Sequence, residues 1–147
     1  MYQGSCLCGA LRYEIHGELG EFGYCHCTSC RKASGSAHAA NSPVVGSEFR
    51  FVSSAETLRE FESSPGKFRA FCTGCGSPIY ARTSESPDVL RIRLGTLDTP
   101  FSGQPKAHCW VSDKAPWEPL DDHLLPQFAE WAPPSVLLQR GTRQPKG

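Results

Sequence analysis

"GSCLCGALRYEI", residues Gly4–Ile15, joins a Cys-x-Cys pair to a strand. Leu11, Tyr13 and Ile15 alternate with Arg12, Glu14 and His16, the period of two that buries one strand face and wets the other. A second pair, Cys72 and Cys75, stands in "FCTGCGSP" after another alternating stretch. Gly9 and Gly76 each follow their pair directly. Glycine there lets the backbone turn tightly and aim amide groups at the sulfurs, as metal-binding knuckles need. Four thiolates from two such turns close a tetrahedron around Zn²⁺. A four-cysteine iron–sulfur cluster or two buried free pairs remain alternatives, because ligand type alone does not fix the metal.

Outward from these turns, the chain reads as mainly β with little helix. "EFRFVSS" alternates Phe49 and Phe51, and "TLREFESSPGKFRAFC" reads as a hairpin turning at Ser64-Pro65-Gly66. "DVLRIRLGTLD" gives a strand carrying Val89, Leu90, Ile92 and Leu94 and stopped by Gly95, with Ser84 to Asp88 a loop before it. "AHCWVSDKAPW" reads as a strand entering a proline-ended loop. A short helix is expected after Cys30 through "RKASGSA". Another is expected in "DDHLLPQFAEWA", capped by Asp121 or Asp122 and limited by Pro126. A single domain over 1–131 with a polar tail at 132–147 accounts for the whole chain, without repeats.

The 147 residues carry fifteen basic and fifteen acidic side chains. Without net charge no long-range field draws the protein to nucleic acid or anionic lipid. No stretch approaches the ~18 apolar residues of a membrane span, and no signal peptide is evident. A cytoplasmic chain keeps its thiols reduced, so eight clustered cysteines point to metal or chemistry rather than disulfides.

"YCHCTSCRKASG" packs Cys25, Cys27 and Cys30 into six positions with no fourth ligand beside them. Three thiolates on a divalent ion leave one negative charge, which Arg31 and Lys32 can offset, and a helix starting there favours thiolate. Zinc with three protein ligands keeps a position for substrate, the mark of a catalytic rather than a structural site. An incoming thiol sulfur is one occupant of that corner. Cys109, His38 and His108 are others. His26, between two ligands in extended backbone, points away, and His16 and His123 read as surface residues.

These stretches, with "YCHCTSCRKASGS", "FCTGCGSPIY", "LGTLD" and "HCWVSDKAPW", resemble the glutathione-dependent formaldehyde-activating enzyme family, which also includes the centromere protein V relatives. The resemblance runs from about Gly4 to Trp117. It implies an Mss4-like β-tent of antiparallel sheets organised around zinc. It also implies a structural zinc on Cys6, Cys8, Cys72 and Cys75 and a second, open and labile zinc on Cys25, Cys27 and Cys30. The implied activity is a carbon–sulfur lyase reaction in which glutathione sulfur adds to formaldehyde, giving S-hydroxymethylglutathione, or leaves from it. Cys109 departs from the family pattern, where relatives carry an aliphatic or aromatic residue.

By residue type, His38 and His108 are candidates to protonate a developing alkoxide, and Lys114 or Arg31 to hold a carboxylate of the thiol carrier. Ser112, Asp113 and Trp117 are candidate pocket residues. A different class of function is also open: a non-catalytic zinc-stabilised interaction module, or a thiol or metal sensor.

Overall fold

The computed structural model describes residues 1–120 and 124–138, and the architecture is mainly β. A three-stranded antiparallel sheet is built from β1 (Tyr2–Ser5), β2 (Arg12–Ile15) and β5 (Phe49–Phe51), in the order β1-β2-β5. The seven-stranded sheet adds β3 (Tyr24–Cys25), β4 (Ala39–Val45), β6 (Leu58–Ser64), β7 (Lys67–Cys72), β8 (Pro78–Thr83), β9 (Ser86–Arg93) and β10 (His108–Cys109). Its order is β10-β3-β4-β9-β8-β7-β6. Only the β10–β3 pair is parallel among the described strands.

The alternation in Gly4–Ile15 does what its period demands. Leu11, Tyr13 and Ile15 are buried while Arg12 and His16 are exposed. Together with Val44, Ala70, Cys72, Ile79, Tyr80 and Ile92 they form the main core between the two sheets. The expected hairpin forms between β6 and β7, where Gly66 at φ +77° supplies the left-handed residue of the turn. A Cβ at Gly66 would also lie 2.7 Å from the Ser84 hydroxyl.

The loop expected over Ser84 to Asp88 is instead a tight hairpin. Thr83 pairs with Ser86, so β9 begins there, and it ends at Arg93 rather than running to Gly95; Leu94 falls in a 3₁₀ turn. Strand β4 has no clear signature in the sequence, because Asn41-Ser42-Pro43 reads as turn chemistry. Pairing with β9 from Asn41 to Val45 overrides that local preference.

The helix expected after Cys30 starts earlier and ends sooner: α1 spans Thr28–Ser34, with Cys27 as its N-cap and Cys30 in its first turn, and Gly35 closes it in the left-handed conformation. The second expected helix is absent from the described part of its span, 124–132; Asp121, Asp122 and His123 lie outside the described residues. That backbone is claimed by β10 instead: His108 N–H donates to Pro126 O, Phe128 N–H to His108 O, and Trp110 N–H to Glu130 O, each at 2.9 Å. An extended segment that starts at a proline satisfies its partners this way and has no use for a helical ladder. Beyond Trp131, where the sequence reads as a tail, Val136 and Leu137 pack onto a second core with Cys25, Cys27, Cys30, Cys109 and Trp110.

The large sheet is therefore covered on both faces. Ile92, with no exposed surface, sits at the centre of the inter-sheet face. Ile92→Ala should destabilise the protein by about 2–5 kcal/mol, seen as a lower urea midpoint at unchanged slope.

Candidate metal centre and adjoining cavity

Two glycine-terminated turns bring Cys6, Cys8, Cys72 and Cys75 together, with all four sulfurs within 4.8 Å of one another. Gly9 and Gly76 take nearly identical left-handed conformations, φ +80° and +79°. The Leu11 amide donates to Cys6 Sγ at 3.3 Å, as the glycine-turn argument requires. The sulfurs of Cys6 and Cys8 are 3.6 Å apart and those of Cys8 and Cys72 are 3.8 Å apart. Zinc–sulfur bonds of about 2.3 Å give a tetrahedron with an edge of about 3.8 Å. The set fits such an ion as it stands. Hydrogen bonds from the Ser77 hydroxyl and amide hold the Cys75 thiol down at about 5, favouring thiolate.

Cys25, Cys27 and Cys30 form the second set, also within 4.8 Å. β3 delivers Cys25, and Cys27 is the N-cap of α1, its sulfur accepting from the Cys30 amide at 3.3 Å. Hydrogen bonds from the Cys25 and Cys27 thiols hold the Cys30 thiol well below its usual range, with help from Arg93 and Arg69. The same sharing pushes Cys25 up strongly. Three buried sulfurs so close can all ionise only if a cation balances them, so the donor set itself calls for a metal. Among the described residues no fourth histidine, cysteine or carboxylate completes this set. Cys109 pairs with Cys25 across β10 and β3 and is buried in the same core, but it belongs to neither sulfur set.

Burial reverses the order expected of a closed and an open site. The three-sulfur set is wholly buried, whereas Cys8 is exposed and Cys75 half-buried. Two of the trio, Cys25 and Cys30, face a narrow cavity. Cys25 and Cys30 share its wall with Lys67, Arg69, Arg91 and Arg93. Register explains the convergence: Arg69 lies opposite Ala81, Ala81 opposite Arg91, and Arg93 opposite Asn41, so the cations of β7 and β9 occupy one sheet face. All four are buried. Burial lowers Lys67 to about 8 and Arg91 and Arg93 to about 10, which leaves these three charged at neutral pH. Sequence reasoning missed this group. Its signal was the alternating Lys67-x-Arg69 and Arg91-x-Arg93, which reads equally well as a solvated strand face.

The remaining candidates gather around His26, and none of them lines the cavity. His26 Nε2 and His108 Nδ1 are 2.9 Å apart, and His38 lies 5.1 Å from His26 by ring centroids. Tyr24 packs on both His38 and His108. Desolvation lowers His26 to about 4 and also lowers His38, so both imidazoles are neutral at pH 7. Lys114 contributes to the lowering of His26, and its ammonium donates to Glu118 O at 3.1 Å. His38, His108 and Lys114 are thus brought together around His26, which turns toward His108. Arg31 is on α1 and does not line the cavity, Ser112 donates to Ala129 O, and Trp117 is exposed. His16 is an exposed partner of Glu14, as its strand position implies. Trp110, at φ +57°, is a strained non-glycine residue that sequence inspection gives no means to find.

The mainly β architecture carries two all-sulfur sets that could each hold a metal ion. The model of the glutathione-dependent formaldehyde-activating enzyme family matches residues 1–113, and the chain belongs to that family. An uncharacterized lyase of Schizosaccharomyces pombe is 33% identical over 79 residues, covering 54% of this chain and 56% of that protein. A putative glutathione-dependent formaldehyde-activating enzyme of Aspergillus flavus is 24% identical over 138 residues, covering 92% and 62%. The chain therefore spans about six-tenths of the length of these curated relatives. The crystal structure of a Rhodobacter sphaeroides protein superposes with a TM-score of 0.57 at 24% identity, over 68% of this chain and 91% of that one. No helix among the described residues is long and apolar enough to cross a membrane.

Because each thiol must lose its proton to bind a metal, affinity at both sets should fall with pH, on the order of tenfold per unit for each proton released. Loading with Co²⁺ should show thiolate-to-metal absorption from both sets. Titration with a competing chelator at pH 6, 7 and 8 measures the slope.

Proposed function

We propose that this chain is a zinc-dependent carbon–sulfur lyase-type enzyme that makes and cleaves thiol–aldehyde adducts of the S-hydroxymethylglutathione kind. The observation that carries this reading is a trio of converging thiols, one vertex short of a tetrahedron, two of which, Cys25 and Cys30, lie in the wall of a cavity. Cys25, Cys27 and Cys30 would hold the reactive zinc, and Cys6, Cys8, Cys72 and Cys75 the structural one. Zinc bound by three sulfurs supplies Lewis acidity at an open position, enough to keep an outside thiol ionised near neutral pH.

In the adding direction the sulfur lone pair forms the C–S bond, the carbonyl π pair moves to oxygen, and that oxygen takes a proton in place of the one the thiol lost. Cleavage is the reverse, and neither direction needs an oxidant. His38 and His108 are the proposed proton carriers. Nδ1 of His38 and Nε2 of His108 are buried without a hydrogen-bond partner, and His26 links to His108. Lys114 is proposed to keep that imidazole cluster electrostatically neutral. Arg93 and Arg69 bind and orient the anionic end of the thiol carrier, and the enclosing walls exclude water. The family description supports glutathione and formaldehyde as partners. The two-sheet architecture around the four-sulfur knot supports an Mss4-like β-tent, and eight free thiols fit the reducing cytoplasm.

The test compares wild type with Cys27→Ser in glutathione–formaldehyde adduct exchange followed by NMR. Losing the Lewis-acid site should slow turnover by at least roughly 100-fold. Metal content should fall by one of two equivalents while the circular dichroism stays unchanged. Wild type carrying two equally chelator-resistant metals, and turning over no thiol, would make the chain a binding module instead.

A further inference from the structure

The four-cation cavity is more than charge compensation for thiolates. Arg69 has 8% of its surface exposed; its Nε donates to Ser63 Oγ at 2.9 Å, yet both terminal guanidinium nitrogens are buried without a hydrogen-bond partner. Arg93, also buried, feels the three thiols and the repulsion of Arg69. Glu21 is the one acidic side chain lining the cavity among the described residues, and one of its carboxylate oxygens accepts from the Leu138 amide. Buried guanidinium donors left open are costly unless an anion meets them. The neutral formal charge of the chain shows that this concentration of cations is local.

Size narrows the anion. Solvent centres have about 30 Å³ of room, space for roughly two or three waters. That room admits one compact charged group at the end of a carrier, and the rest of the carrier lies outside it. Two arginines on neighbouring rows of one sheet face, flanked by Lys67 and Arg91, present donors from several directions. A planar carboxylate presents two acceptor oxygens in one plane, whereas a tetrahedral group with three terminal oxygens presents acceptors in more directions to guanidinium forks that converge from several sides.

We propose that this cavity is a tetrahedral-oxyanion site, and that the preferred thiol of this chain is a short one bearing a phosphate, phosphonate or sulfonate group. The substrate assignment rests on the lyase reading above; the anion site does not. With its oxyanion on Arg69 and Arg93, a short carrier keeps its sulfur close to Cys25 and Cys30, which share the cavity wall.

The experiment has two arms on the metal-loaded full chain. In the first, inorganic phosphate and sulfate are titrated at constant ionic strength, with chloride as control, and read by thermal unfolding and ³¹P line width. Saturable stabilisation by phosphate or sulfate over chloride is expected, reduced at least tenfold in apparent affinity by Arg69→Gln or Arg93→Gln. In the second, formaldehyde adduct exchange is compared for 2-mercaptoethanesulfonate, 2-mercaptoethyl phosphate, glutathione and uncharged 2-mercaptoethanol. The two oxyanion thiols should exceed glutathione and mercaptoethanol at least tenfold in kcat/KM, and their relative rates distinguish sulfonate from phosphate. Wild type that ignores phosphate and sulfate overturns the anion site whether or not any variant folds. Glutathione as the best thiol overturns the substrate assignment and leaves the lyase intact. No turnover with any thiol, together with saturable phosphate binding, overturns the lyase reading and leaves the anion site standing.

Discussion

Four sulfurs on two matching turns converge where the first strands of the small sheet meet the large one. Cys6 and Cys8 sit between the first two strands of the small sheet, and Cys72 and Cys75 lie where β7 turns into β8 of the large one. A metal ion held there would fix how the sheets meet around the core of Tyr13, Ile15 and Ile92. It would also tie together segments more than sixty residues apart, coupling metal binding to folding. The geometry of the turns is local, set by two left-handed glycines; its consequence is global.

The second sulfur set is organised by a different logic. One cysteine comes from a strand, one caps a helix and one sits inside its first turn, so the trio depends on where α1 departs from β3. That makes it a product of the fold, whereas the four-sulfur knot helps to produce the fold. The C-terminal segment completes the arrangement by adding backbone pairing to β10 and side chains such as Trp131 and Leu137 to the surrounding apolar shell. Enclosure here comes from late sequence folding back over early sequence.

Legibility followed the range of the interactions. Features set by neighbours in the chain were readable: the alternation of Leu11, Tyr13 and Ile15, the Pro65-Gly66 turn, the glycine-ended cysteine pairs and the helix after Cys30. Features set by distant pairing were not. Strand β4 exists because β9 holds it despite Asn41-Ser42-Pro43, and the segment at Pro126–Glu130 is extended because β10 takes its hydrogen bonds. The cationic cavity was hidden for a related reason. Alternation tells which residues share a face, and Arg91 and Arg93 do share one, but it cannot say that a second layer will cover that face. At the sulfur trio, spacing showed the convergence of Cys25, Cys27 and Cys30, and nothing local revealed that the trio would be more buried than the four-sulfur knot.

The sorting of charge between interior and exterior has a kinetic side. Acids and bases cancel over the chain as a whole, so beyond a Debye length of about 8 Å the molecule offers an approaching anion almost no attraction. Encounter should then respond weakly to salt. Selection among anions falls to the residence time after entry, where buried guanidinium groups act at short range and with little screening.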